Sequence, residues 1–293
     1  MRLSTCILPI YPWAEGAGIW RRAEELGLDT AYTYDHLSWR SFRDGPWFGA
    51  VPTLAAAAAT TSRIRLGTLV TSPNFREPVT LAKDLMTLDD VSSGRMTLGI
   101  GAGTSSGFDA TVFGDDPWPM RERTERFEEF VGLLDRLLTE PAVTYDGTYY
   151  SAHEARTIPG CVQDPRVPFV VAGGGPRGMR LAARYGQGWV TTGASLPDDA
   201  TPADSSAAVA SQVSTVRAAC EAEGRDPATL HTVLLAGFTP DRLFDSVEAF
   251  DDVVGRYAEA GIDEIVLHHP IPDSPFAADL DAYEAVVAHH TGA

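Results

Sequence analysis

Cysteine is scarce in this 293-residue sequence: Cys6, Cys161 and Cys220 are odd in number and far apart. They offer neither a disulfide framework nor a cysteine-based metal site. Positive charge is also short, since 23 Lys and Arg against 40 Asp and Glu leave a net charge of −17. Nucleic acid and anionic membranes need clustered Lys and Arg, so both are excluded as partners. No apolar run is long enough to span a bilayer. Residues 1–10 hold one basic residue and a short apolar stretch interrupted by Pro9, without the charged start and cleavage site of a secretory signal. Together these absences predict a cytoplasmic protein.

What is present is apolar content sufficient for a large core, 44% of residues, in a regular alternation. Leu3–Ile10 reads as a strand and Ile19–Leu26 as a helix, with Gly27 in the C-cap role. Thr30–Tyr34 then Phe48–Thr60, Ile64–Val70 then Val79–Val91, and Arg95–Ile100 then Met120–Leu138 repeat the pairing. Val167–Ala172 then Met179–Tyr185, Gly188–Thr191 then Ala207–Glu223, Leu230–Ala236 then Phe244–Ala260, and Ile262–Leu267 then Ala277–His289 follow. Continuous apolar runs such as Ile262–Leu267 suit strands covered on both faces. About eight such units predict an α/β chain closed as a (β/α)8 TIM barrel, one domain over 1–293, rather than an open doubly wound sheet. Residues 139–166 form a small insertion, with Val143–Tyr145 and Thr148–Tyr150 flanking an Asp146-Gly147 hairpin signal. The stretch Gly193–Ser206 reads equally as a plain loop or as a lid.

Barrel chemistry sits just after the strands. Tyr34-Asp35-His36, Thr71-Ser72-Pro73, Gly101-Ala102-Gly103-Thr104, Gly173 to Gly178, Thr191-Thr192 and His268-His269 occupy those places. In the run Gly173-Gly174-Gly175, backbone N–H groups can approach a phosphate at the start of a helix. Gly173, Gly175 and Gly178 fit G-x-G-x-x-G, but no acid stands about 20 residues on to hold a ribose, which weakens a nicotinamide reading. His36 can transfer a proton near neutral pH. Neighbours in an extended segment face opposite ways, so Asp35 and His36 need not touch. His268-His269 lacks the further ligands of a metal site, and no metal is predicted. Trp13, Trp39, Trp47 and Trp118 fall in predicted loops, where a ring can stack on a planar ligand or simply pack at an edge.

Several segments resemble the luciferase-like monooxygenase superfamily. They are Tyr34-Asp35-His36-Leu37, Arg63 to Pro73, Leu88 to Arg95 leading into Gly99 to Gly103, and Gly173-Gly174-Gly175-Pro176, in the expected order over nearly the whole chain. The resemblance implies a barrel that uses coenzyme F420 or, alternatively, FMN. It implies that Asp35 contacts the cofactor ring region and that His36 is the acid/base. A non-prolyl cis peptide is implied at Leu69-Val70 or one bond later. The implied cofactor set is Asp35, Leu69, Val70, Thr71, Gly101, Ala102, Gly103, Ala172, Gly173, Gly174, Gly175 and Pro176, with Trp13, Glu15 and Trp39 on the substrate side. Relatives that oxidise a sugar phosphate carry a Glu where Thr104 stands here, which argues for a different substrate and proton relay. The short segment Gly237-Phe238-Thr239-Pro240 favours F420 over FMN. The leading expectation is hydride transfer between F420 and a small organic substrate. The alternatives are a two-component monooxygenase using reduced FMN and a non-catalytic flavin-binding barrel. A separate flavin or F420 reductase and a homodimeric assembly are the expected partners.

Overall fold

The computed structural model describes residues 1–104 and 106–293. The first four strands are β1 (Arg2–Cys6), β2 (Thr30–Thr33), β3 (Arg65–Thr71) and β4 (Met96–Gly101). A hairpin, β5 (Ala142–Asp146) and β6 (Ser151–Arg156), stands apart, before β7 (Phe169–Ala172), β8 (Gly188–Thr191), β9 (His231–Leu235) and β10 (Glu264–His268). All but the hairpin close into one barrel in the order β1-β2-β3-β4-β7-β8-β9-β10, and β10 pairs in parallel with β1 from Arg2↔Glu264 to Cys6↔His268. The helices between are α1 (Trp13–Glu25), α2 (Ala50–Thr60), α3 (Pro78–Val91), a single turn α4 (Phe108–Thr111), α5 (Met120–Thr139), α6 (Pro176–Tyr185), α7 (Pro202–Ala222), α8 (Val247–Glu259) and α9 (Leu280–Thr291). This is the expected (β/α)8 barrel. Among the described residues no helix is long and apolar enough to cross a membrane.

Strand alternation divides the core in two. Val170, Val190, Val233, Leu235 and Val266 belong to one buried cluster with Tyr32, Tyr34 and Leu69. Their neighbours Phe169, Val171, Trp189, Leu234, Ile265 and Leu267 join the larger cluster that includes the helix residues. Successive side chains on a strand face opposite ways, so the first set fills the barrel and the second packs under the helices.

The differences from expectation have local causes. The first strand stops at Cys6, three residues before Pro9. Helix α1 starts at Trp13 rather than Ile19, because Pro12 sets the N-cap and buried Gly16 lets the first turn pack on Tyr11. Trp13 and Glu15 are therefore helical, not loop residues. Helix α7 starts at Pro202: Thr201 and Asp204 cap each other reciprocally, a capping box that the surrounding Ala, Ser and Asp residues obscure. In the insertion, the predicted tight turn at Asp146-Gly147 widens to span 147–150. The Glu129 carboxylate of α5 accepts the N–H groups of Thr148, Tyr149 and Tyr150 at 3.1, 3.1 and 2.9 Å.

Candidate active site

A cavity of about 540 Å³ opens at the C-terminal end of the barrel. Its walls come from the ends of β2, β3, β4, β7, β8 and β9. Parity along β2 decides what reaches it. Tyr32 and Tyr34 face the barrel interior, so His36 continues that face while Asp35 is turned behind it. At β3 the register against β4 shifts between Thr68 and Thr71, and both Leu69 and Val70 reach the wall. The peptide between them is cis, as the resemblance implied.

Of the residues singled out in the sequence, His36, Trp39, Leu69, Val70, Gly101, Ala102, Gly103, Ala172, Gly173 and Gly174 line the cavity. Gly175 and Pro176 continue from that wall into the first turn of α6. Asp35, Thr71, Trp13 and Glu15 lie outside it. Asp35 is buried, 1% exposed, and accepts two bonds from Arg76, Nε–H at 3.0 Å and Nη2–H at 2.6 Å, and one from the Thr71 hydroxyl at 2.8 Å. Burial alone would lower the Arg76 pKa, but the Asp35 carboxylate outweighs it and holds the guanidinium above its usual value. The Asp35 oxygens are thus committed to protein donors and brace β2 against β3. Trp13 and Glu15 are exposed on the first turn of α1.

His36 has a partner that sequence reasoning missed. Its Nδ1 is hydrogen-bonded to a carboxylate oxygen of Asp109, and the other oxygen accepts Leu37 N–H at 2.8 Å. Asp109 is buried on α4. An ionised carboxylate only accepts, so Nδ1 carries the proton and Nε2 is the nitrogen left for a ligand. The Trp47 indole N–H fixes the His36 carbonyl at 2.7 Å. A four-residue helix in a glycine- and serine-rich stretch leaves no periodic signal, so Asp109 could not be singled out.

Beside them, Tyr34 donates its hydroxyl to His268 Nε2 at 2.8 Å, because His268 Nδ1–H is given to the Ala236 carbonyl at 2.9 Å. Burial drives His268 down from 6.5 to about 3, and its ring stacks on Phe276 at 3.7 Å. His269 is lowered to about 4, again by burial. Both imidazoles are neutral structural groups. The unfolded chain therefore binds more protons between about pH 3 and 6.5, and stability rises with pH across that window. It is complete above 6.5 and lost on acidification. The His268 contribution alone predicts a loss of about 2 kcal/mol between pH 7 and 5, measurable as a fall in urea midpoint. The variant His268→Gln should flatten that dependence, and an unaltered slope would remove His268 from this role. Among the described residues no cluster of His, Cys, Asp or Glu is arranged to hold a metal ion.

The glycine turn after β7 has two kinds of glycine. A Cβ on Gly173 would come within 2.7 Å of the Gly178 backbone, and one on Gly178 within 2.8 Å of Gly173, so these two are required by turn-to-helix packing. A Cβ on Gly174 or Gly175 would meet nothing within 4 Å, and neither residue has a positive φ. Protein packing does not explain them, whereas an approaching phosphate would. The indole of Trp189 donates to the Gly173 carbonyl at 2.9 Å and pins the turn to β8. A Gly174→Val substitution should leave thermal stability unchanged within about 0.5 kcal/mol, while weakening any phosphate-bearing ligand of this turn roughly tenfold. Gly173→Val should instead destabilise the fold. Equal ligand affinity for Gly174→Val and the parent protein would remove the turn from binding.

Opposite the turn, Trp39 stacks on Phe276 at 5.7 Å and meets Phe238 edge-on at 6.5 Å. Thr191 donates to the Gln212 side-chain oxygen at 2.8 Å, and Gln212 holds the Gly193 carbonyl at 3.3 Å, so α7 fixes the start of the 193–201 loop. Phe238 and Gln212 were not foreseen, because a loop aromatic and a helical Gln carry no positional signal by themselves. Thr104 spends its hydroxyl on the Ser106 carbonyl at 2.7 Å.

The sequence profile of luciferase-like monooxygenases matches residues 8–242. An F420-dependent glucose-6-phosphate dehydrogenase from Intrasporangium calvum is 42% identical over 174 residues, 58% of this chain and 51% of that enzyme. The chain thus spans about half the length of that relative. The barrel superposes on an F420-dependent secondary alcohol dehydrogenase in complex with an F420-acetone adduct, with a TM-score of 0.79 at 19% identity, covering 99% of this chain and 98% of that one. It also superposes on the monooxygenase RslO1 from Streptomyces bottropensis, with a TM-score of 0.73 at 23% identity over 100% and 98% of the two chains. The two structural likenesses concern the fold.

Proposed function

Because this chain belongs to the luciferase-like monooxygenase family, we propose that it is an oxidoreductase that transfers hydride between coenzyme F420 and a small organic substrate. The observation that carries the reading is a cavity that joins two kinds of group. His36, with its tautomer set by Asp109, lines it after β2, and the open backbone of Gly174 lines it after β7. The choice of F420 over FMN draws on the 42%-identical relative and on the short segment after β9.

F420, when bound, supplies the hydride chemistry at its deazaflavin ring. The protein residues do the rest. Gly173, Gly174 and Gly175 present N–H groups to the phosphate, with Gly101, Ala102 and Gly103 beside them. Leu69 and Val70 form an apolar floor for the ring. Asp35, through Arg76 and Thr71, keeps β2 and β3 in register under that floor, a positioning role rather than a direct contact. His36 gives or takes the companion proton at Nε2. Trp39 and Phe238 close the substrate side and exclude water. With Thr104 engaged locally, His36 is the proton carrier of the cavity. The reading brings with it one domain over 1–293, a cytoplasmic location, a separate enzyme that reduces F420, and a homodimer.

Titrating F420 and FMN in parallel, followed by tryptophan fluorescence, tests this. F420 is expected to bind at least about tenfold more tightly than FMN, a difference of about 1.4 kcal/mol. Tight FMN binding without F420 binding would favour a reduced-FMN monooxygenase instead.

A further inference from the structure

Resting on that functional reading, we propose that the substrate is an organic anion and that Arg40 binds its carboxylate or phosphate beside His36. The chain carries 40 acidic residues against 23 basic ones. Even so, none of the described residues lining the cavity is an Asp or Glu, and Arg40 is the one Lys or Arg among them. A wall stripped of carboxylates in so acidic a protein suits anionic ligands.

The cofactor's phosphate would be held by the glycine turn after β7. In the closed strand order β7 lies four places from β1, on the far side of the barrel. Arg40 instead follows β2, three places from β7 in that order. Its guanidinium lies 4.7 Å from the Trp39 ring centre and 5.9 Å from that of Phe238, which follows β9. It thus shares the segment after β2 and the cavity wall with His36, three strands from the one that carries the phosphate turn. Among the described residues no carboxylate pairs with it, in contrast to Arg76 and Arg177, which are held by Asp35 and Glu128. The aromatic faces orient the cation without using its N–H donors, leaving the planar fork for a ligand.

The backbone supports the same assignment. Arg40 has φ 42°, in the left-handed region that glycine or asparagine fills at less cost. A long cationic side chain at such a position is not explained by turn preference. Strain of this kind concentrates at ligand sites.

The test uses the F420-saturated protein and matched ligands: pyruvate with its methyl ester, and glycerol 3-phosphate with glycerol. Calorimetry should show at least one anion binding about tenfold or more better than its neutral partner. Arg40→Gln should weaken that anion by roughly tenfold to a hundredfold, as expected for a lost charge-assisted bond. The neutral partner and F420 itself should be unaffected. Arg40→Lys should recover part of the anion affinity. Whether pyruvate or glycerol 3-phosphate responds identifies the carboxylate or the phosphate as the anchored group. Equal weakening of anion and neutral partner, weakening of F420, or no preference for either anion in the parent protein would overturn the proposal while leaving the hydride-transfer reading intact. Failure to bind F420, seen before any anion is added, would overturn that reading and this inference with it.

Discussion

Replacing His36 by alanine is expected to lower kcat by about two to four orders of magnitude, the usual worth of a positioned general acid or base. Affinity for F420 should stay within about threefold, because the loss falls on the reacting step and not on ground-state binding. Asp109 makes the prediction sharper. Its carboxylate fixes which imidazole nitrogen carries the proton, so Asp109→Asn should also lower kcat, by less than removal of the ring, with F420 affinity again kept. The double variant should be no worse than His36→Ala alone, since both changes remove one unit. Additive losses would mean that Asp109 acts on the reaction by some other route. Unchanged turnover in His36→Ala would remove His36 from proton transfer altogether.

Breaking the Arg76–Asp35 pair should give the other large effect, and it should fall on the fold. Removing one partner of a buried ion pair leaves the other charge without compensation and costs about 3–5 kcal/mol. Asp35 is 1% exposed and the Arg76 side chain 21%. The expected cost for Arg76→Ala is therefore at the low end, about 3 kcal/mol. For a chain of this size that corresponds to a fall in Tm of roughly 5 °C. Cofactor affinity should fall with it, because Thr71 and the Leu69–Val70 floor are braced through Asp35. A variant as stable as the parent protein would show that water compensates Asp35 once the guanidinium is gone.

Much of this was legible in the residues. Continuous apolar runs predicted strands covered on both faces, and the count of units predicted closure. Alternation at Tyr34-Asp35-His36 implied that Asp35 and His36 face different ways, and that parity puts the histidine in the cavity and the aspartate behind it. The glycines after β7 were legible as a class, but not which of them serve packing. That distinction needs Gly178 folded back onto Gly173. The partners of the two central side chains were not legible. Asp109 and Arg76 lie far along the chain from His36 and Asp35, and only the side-by-side pairing of β2, β3 and β4 brings them together. Trp13 and Glu15 fall outside the predicted helix for a different reason: Gly16 and Gly18 in the first two turns of α1 hide its start. Arg40 carries no such signal, because one exposed cation at the start of a short 3-10 turn is ordinary until the acid-free wall around it is known.

The most direct test of hydride transfer, as opposed to oxygen activation, is the oxygen dependence of cofactor turnover. Reduced F420 is mixed with the protein and a panel of carbonyl compounds under strictly anaerobic conditions, and the absorbance of the deazaflavin is followed. Reoxidation without oxygen, dependent on the carbonyl compound and lost in His36→Ala, is the predicted result. Turnover that requires oxygen and reduced FMN, with reduced F420 left untouched, would contradict it.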